Sequence, residues 1–264
     1  MTSQIMKHTM MAALTVSIAL TGCSGGGDEE SDESSSESAP ETTASNIAAA
    51  ASGASGVSGK ISFEGTPPER TVIEAEGDPK CAIMHKDSPL LSDKVLVDDN
   101  GGLANVFLIV ETPPEGDYPV PESSVKLDQI GCVYTPHVLG IQVGQTLEIH
   151  NSDDTTHNVR AVARKNKPFN LGQPAGSKPR EKSFKNAEDG IRLKCDIHRW
   201  MTAYVFSVEH PFFAVSDESG AFTIAGLPAG DYSIKAWHES LGEQTGSLTV
   251  GDDGAGEINF SFSE

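Results

Sequence analysis

The sequence predicts an all-β protein built from two sandwiches, and three observations carry that expectation. Past Val57, short runs rich in β-branched and aromatic residues alternate with turns of Gly, Pro, Asp and Asn, and no helical period persists. At Pro211 the pattern changes to tighter strands separated by glycine turns, which marks a second module. Before Val57 the composition is that of a leader and a polar linker, so only part of the 264 residues is available for a packed core.

The chain opens with Lys7 and His8, an apolar run from Met10 to Leu20, and then Leu20-Thr21-Gly22-Cys23. That run is short for a membrane-spanning helix and reads as an export signal. Leu-x-Gly-Cys resembles the bacterial lipobox, in which the Cys becomes the lipid-modified first residue of the mature protein. The resemblance implies a signal peptide over 1–22, a lipid anchor on Cys23, and a place in the bacterial cell envelope on its periplasmic or outer side. A simple secretory peptide cleaved nearby is the alternative. Residues 23–56 are dominated by Ser, Glu, Asp, Ala and Gly, so low hydrophobicity and self-repulsion predict a disordered acidic linker. This linker supplies much of the formal net charge of −19, leaving the folded part less acidic than the total.

After the linker, Lys60–Phe63, Lys94–Val97 and Asn105–Val110 read as strands, each followed by a turn signal. Cys81–Leu91 reads as a loop or one short helix. The block 119–208 then carries the chemistry. The strand Gln145-Thr-Leu-Glu-Ile-His-Asn151 ends shortly before His157, and Gly190-Ile-Arg-Leu-Lys leads into Cys195-Asp-Ile-His198-Arg-Trp200-Met201. A thiolate, two imidazoles and a thioether form the ligand set of a blue electron-transfer copper site: Cys195, His157 and His198 in a plane, Met201 weak and axial. Taken singly, each has an ordinary reading as a buried thiol, a surface histidine or core filler. Taken together at this spacing, copper is the stronger account.

From Ser124 to Val208 the sequence resembles the cupredoxin family, with a short ligand loop most like its amicyanin-type members. Val138-Leu-Gly-Ile-Gln-Val-Gly144 through Asn151-Ser-Asp153 matches the approach to the first His ligand, and Phe184 with Gly190–Cys195 matches the strand pair that delivers the Cys. The resemblance implies a Greek-key β-sandwich, one type 1 copper and one-electron transfer to a redox protein such as a cytochrome or a membrane redox complex. It also implies that Asn158 hydrogen-bonds near the thiolate, the alternative being an ordinary turn residue. His198 is then the exposed exit for the electron, and Trp200 belongs either to the docking surface beside it or to the core beneath the loop. The basic residues Arg160, Arg164, Lys165, Lys167, Lys178, Arg180, Lys182 and Lys185 form either a docking face or a merely solvated loop.

Of the four cysteines, Cys81 and Cys132 remain unassigned. Outside the cytoplasm two such residues form a disulfide, or, with His85 and His137, they supply a second metal site.

Asp217-Glu-Ser-Gly220-Ala-Phe222-Thr-Ile-Ala-Gly226-Leu227-Pro228-Ala-Gly230-Asp-Tyr232 resembles carboxypeptidase regulatory-like, or transthyretin-like, β-modules. Here Gly220 permits a hairpin turn and Phe222 and Leu227 face a core. Because the strands after Pro211 make an incomplete sandwich, the expectation is that 57–118 and 209–264 form one split module with the copper block 119–208 inserted. The alternative is a simple order of domains along the chain.

Enzymatic readings lack their residues. There is no His-x-His pair for a second copper, no His-Glu-x-x-His, no Cys-x-x-Cys-His, no phosphate loop and no nucleic-acid motif. The chain therefore reads as a redox carrier without a turnover site. Two other classes stay open: a copper-trafficking lipoprotein, and a surface interaction module in which copper is structural.

Overall fold

The computed structural model describes residues 56–75 and 77–264. The expected signal peptide, Cys23 and nearly all of the linker lie outside the described residues. In chain order the elements are β1 (Gly56–Phe63), α1 (Pro79–Met84), β2 (Phe107–Val110), β3 (Val125–Ile130), β4 (Val133–Thr135), β5 (Val138–Gln142), β6 (Leu147–Ile149), β7 (His157–Val162) and β8 (Phe169–Gln173). They continue with β9 (Arg180–Lys182), β10 (Glu188–Lys194), β11 (Thr202–Val208), β12 (Phe213–Val215), β13 (Ala221–Ala225), β14 (Gly230–His238), β15 (Gly242–Val250), β16 (Gly256–Glu257) and β17 (Phe260–Phe262). The described chain is all-β apart from one short helix. The run Lys94–Val97, expected as a strand, makes only an isolated bridge between Val97 and Leu103.

One sandwich pairs a sheet ordered β5-β11-β10-β7-β8 with a sheet ordered β4-β3-β6-β9. Its core holds Leu127, Ile149, Val159, Phe184, Leu193 and Val205, all buried. On β7 and β10 the buried residues alternate with exposed Arg160 and Arg192, the pattern of strands packed on one face, whereas β5 and β11 are covered on both. The second sandwich is made of β12-β2-β14-β15 and of β13-β1-β16, with β17 also on β1. Ile61, Val106, Phe222 and Ile234 lie in its one buried cluster. β2 runs antiparallel to β14, with Val110 opposite Ile234. Strands from before and after the first sandwich thus share one sheet. Gly220 turns the chain at φ +79°, and a Cβ there would meet the Ile61 carbonyl at 2.2 Å, so conformation and space both demand glycine.

The two sandwiches meet through aromatic rings. Phe107 on β2 stacks on Phe206 of β11 with centroids 3.9 Å apart, and Trp237 of β14 meets Tyr204 and Phe206 edge-on. Gly140 on β5 makes this approach feasible, because a Cβ would fall 2.2 Å from the Phe213 ring.

Beside this seam sits an ionic latch. His137, just before β5, bonds Glu239, just after β14, and its Nδ1 lies 3.1 Å from Asp93 Oδ2. Burial alone would lower His137, but the two carboxylates prevail and lift it to about 9. Burial would raise Asp93, and the bond from His137 holds it below the usual carboxylate value. A histidine raised in the folded state contributes stability in full below about pH 6.5 and loses it as pH climbs through about 9. The latch's own share of the unfolding free energy is expected to fall by on the order of 3 kcal/mol between about pH 6 and about pH 10, followed by chemical denaturation. Glu239→Gln should flatten that slope; an equal slope in the variant would show that the latch contributes nothing.

The segment between β1 and β2 departs from the sequence expectation. The sequence places it wholly in the second sandwich, yet Ala75 and Cys81 cluster with Cys132 and Trp200, and Asp78 bonds Thr155 and His198 of the first. Cys81 is disulfide-bonded to Cys132 in the β3–β4 turn. His85 is held there too, through Nε2 against the Gly131 carbonyl at 2.8 Å. With both sulfurs in a disulfide and His137 bound to Asp93 and Glu239, the alternative second metal site of Cys81, Cys132, His85 and His137 is not formed.

Candidate metal centre

His157 is the first residue of β7, and the loop before it is built to fix its ring. Asn151 Nδ2 donates to the Thr155 carbonyl at 2.9 Å and to the Gln173 carbonyl at 2.8 Å, while Asn151 Oδ1 accepts from Asp153 N at 3.1 Å. This local turn aims the Asp153 carboxylate inward. There it accepts from Gly131 N at 2.7 Å and Cys132 N at 2.8 Å, and lies 2.9 Å from His157 Nε2.

Cys195 follows the last residue of β10, and β11 begins at Thr202. The intervening loop closes on itself: Cys195 N donates to the Met201 carbonyl at 3.3 Å, and Met201 N to the His198 carbonyl at 3.0 Å. His198 N points at Cys195 Sγ, 3.3 Å away. Asn158 Oδ1 accepts from Asp196 N at 2.8 Å and lies 3.3 Å from Cys195 Sγ, while its Nδ2 donates to Asn170 Oδ1 at 2.7 Å. Asn158 therefore ties the His157 strand to the Cys195 loop and touches the sulfur.

The outcome is a cluster of donors. His157 Nδ1 and His198 Nδ1 are 2.8 Å apart, and Cys195 Sγ is 3.9 Å from His198 Nδ1. One ligand atom from each of the three lies within 4.8 Å of the others. His157 is 0 %, His198 1 %, Cys195 2 % and Met201 1 % exposed, so water is excluded. Met201 packs in the same buried cluster as Cys195. Cys195 is the free cysteine among the described residues.

Burial would raise the Cys195 thiol, but hydrogen bonds from His157 and the loop amides bring it below its ordinary value. Burial would lower His157, yet Asp153 and Cys195 lift it to about 9. His198 moves down, through burial and the neighbouring His157. A soft sulfur and two inward-facing imidazole nitrogens, with a buried methionine on the same loop, suit copper. With the outer nitrogen of each imidazole held by a carboxylate, both rings present Nδ1 to the centre.

Two residues of the site were given no role by the sequence reading. Asp153 could have been sought from the Asn-Ser-Asp turn just before His157. Asp78 could not, because it stands 120 positions before His198. Its Oδ2 lies 3.1 Å from His198 Nε2. Burial would raise Asp78, but bonds from Thr155, Lys80 N, His198 and Cys81 N draw it down to about 2.

His198 was expected at the surface and is covered instead. Asp78 and the disulfide lie over its outer edge, with Cys81 Sγ 3.9 Å from Nε2. Trp200 is half-buried against the same cover, its ring 5.1 Å from that of His198 and its Nε1 donating to the Cys132 carbonyl at 2.9 Å. The groupings Asp78-Cys81-His198 and Cys132-Asp153-His157 also bring donors together, but their sulfurs belong to the disulfide. Of the basic residues, Arg160, Arg164, Lys165, Lys167, Lys178, Arg180 and Lys185 are exposed, while Lys182 lies 5.6 Å over the Phe169 ring.

No family model matches the chain, and no curated protein matches it. Among solved structures, a Cu-containing nitrite reductase from Thermus scotoductus SA-01 aligns over 37 % of this chain and 25 % of its own, with 22 % identity and a TM-score of 0.31. A purple cupredoxin from Nitrosopumilus maritimus aligns over 32 % of this chain and 99 % of its own, with 22 % identity and a TM-score of 0.28. An oxidised amicyanin variant aligns over 38 % and 97 %, with 19 % identity and a TM-score of 0.29.

Proposed function

We propose that this chain is a cupredoxin-type electron carrier in which His157, Cys195, His198 and Met201 would hold one copper ion. The observation that carries the reading is the meeting of a buried free thiol with two imidazole nitrogens, all three within 4.8 Å. When bound, copper supplies a centre that gains and loses one electron. The protein's part is to hold its donors still. β7 fixes His157, the closed loop fixes Cys195 and His198, and Asn158 joins the two. Donors held this firmly rearrange little when the charge at the centre changes. Burial keeps water from competing as a ligand.

The disulfide Cys81–Cys132 supports a working place outside the cytoplasm, where such bonds persist. Together with the lipobox-like start, it supports a carrier tethered in the cell envelope through Cys23. The exposed cationic residues from Arg160 to Lys185 would steer it toward an acidic surface on a redox partner.

The test is metal analysis with visible spectroscopy and voltammetry on the full chain. One copper per chain, an intense thiolate-to-Cu(II) band and reversible one-electron cycling are expected. Cys195→Ser should abolish the band. A protein that takes zinc in preference, or holds Cu(I) and resists oxidation, would overturn the carrier reading in favour of a structural or trafficking role.

A further inference from the structure

The cover over His198 comes from outside the metal sandwich, and its chemistry is specific. Asp78 divides its two oxygens between two tasks. Oδ1 caps α1, accepting from Lys80 N at 2.8 Å and Cys81 N at 3.3 Å. Oδ2 faces the site, accepting from Thr155 Oγ1 at 2.8 Å and lying 3.1 Å from His198 Nε2. Three ties hold the helix in place. These are the disulfide to Cys132, the His85 ring on the Gly131 carbonyl, and a bond from Lys80 Nζ to the Asp154 carbonyl. The helix is thus fastened to the β3–β4 turn and to the loop preceding His157. Asp153 does for His157 what Asp78 does for His198, so each imidazole has a carboxylate at its outer nitrogen.

We propose that Asp78 is a positioning residue for the metal centre, fixing the tautomer and orientation of His198 and making it a stronger donor to the oxidised ion. The physical argument is direct. A carboxylate accepting the Nε2 proton fixes Nδ1 as the inward, metal-facing nitrogen and draws that proton toward itself. Electron density on the ring rises, and the donor becomes more basic. A more basic donor favours Cu(II) over Cu(I), because the higher charge gains more from it. The second sandwich, through the segment it sends across, thereby sets the redox preference of an ion held by the first. The proposal rests on the copper reading above.

Asp78→Asn and Asp78→Ser test it, since Asn and Ser are both good helix N-caps and keep α1 in place while removing the carboxylate. In copper-loaded protein, the ratio of Cu(II) to Cu(I) affinity should fall about tenfold in each variant, a rise in reduction potential of about 59 mV. The metal-free variants should still fold cooperatively and keep the Cys81–Cys132 bond, melting somewhat below the wild type because the charged bonds to Thr155 and His198 are lost. An unchanged ratio in variants that load copper and show the visible band would overturn the proposal, leaving Asp78 as a helix cap only, while the copper reading stands. Wild-type protein that binds no copper would overturn both.

Discussion

Replacing Cys81 and Cys132 together by serine is expected to lower the unfolding free energy by about 4 kcal/mol. The bond spans 51 positions, and opening a loop of that length frees about this much chain entropy in the unfolded state. The loss should also be uneven. With α1 released from the β3–β4 turn, amide hydrogens of residues 78–85 should exchange faster, and so should those of the Cys195–Met201 loop beneath them. Denaturant titration gives the first quantity and hydrogen exchange the second. A loss under about 1 kcal/mol with protection retained would mean that the bonds from Lys80 and His85 hold the cover unaided.

Phe107→Ala is expected to cost about 3–5 kcal/mol, the usual range for removing a buried phenyl ring. Phe107 is fully buried and lies parallel to Phe206 within 9°, with Phe213 5.8 Å away. The substitution leaves a cavity at the seam between the sandwiches, which Gly140 has no side chain to fill. Because the seam belongs to both, a single cooperative transition should shift as a whole. If calorimetry instead resolved two transitions and only one moved, the sandwiches would be independent folding units.

Both outcomes measure how far the second sandwich supports the first, in which the donor cluster lies. The first sandwich supplies His157, Cys195, His198 and Met201. The segment between β1 and β2 supplies Asp78 and half of the disulfide. The rings of β2 and β14 press on β11, the strand that follows the Cys195–Met201 loop.

Much of this was legible in the chain itself. The alternation of apolar runs and turn residues announces an all-β protein, because period-two burial and glycine turns are local properties. The spacing of Cys195, His198 and Met201 is local as well, and one short loop delivers all three. Even Asn158 could be singled out, since it follows the first histidine directly.

Other features were settled only by the folded chain. Pairing of Cys81 with Cys132 rather than metal binding, the burial of His198, and the contact of Asp78 with its outer nitrogen all join residues far apart in sequence. An Asp-Pro pair foretells a helix start, but nothing in its neighbours foretells which distant side chain the free carboxylate oxygen will meet. Residue type and spacing determined which donor atoms this protein gathers at one buried point. The packing of one sandwich's crossing segment on the other decided what those atoms face on their outer side, because such contacts depend on where whole sheets come to rest and leave no periodic trace in the chain.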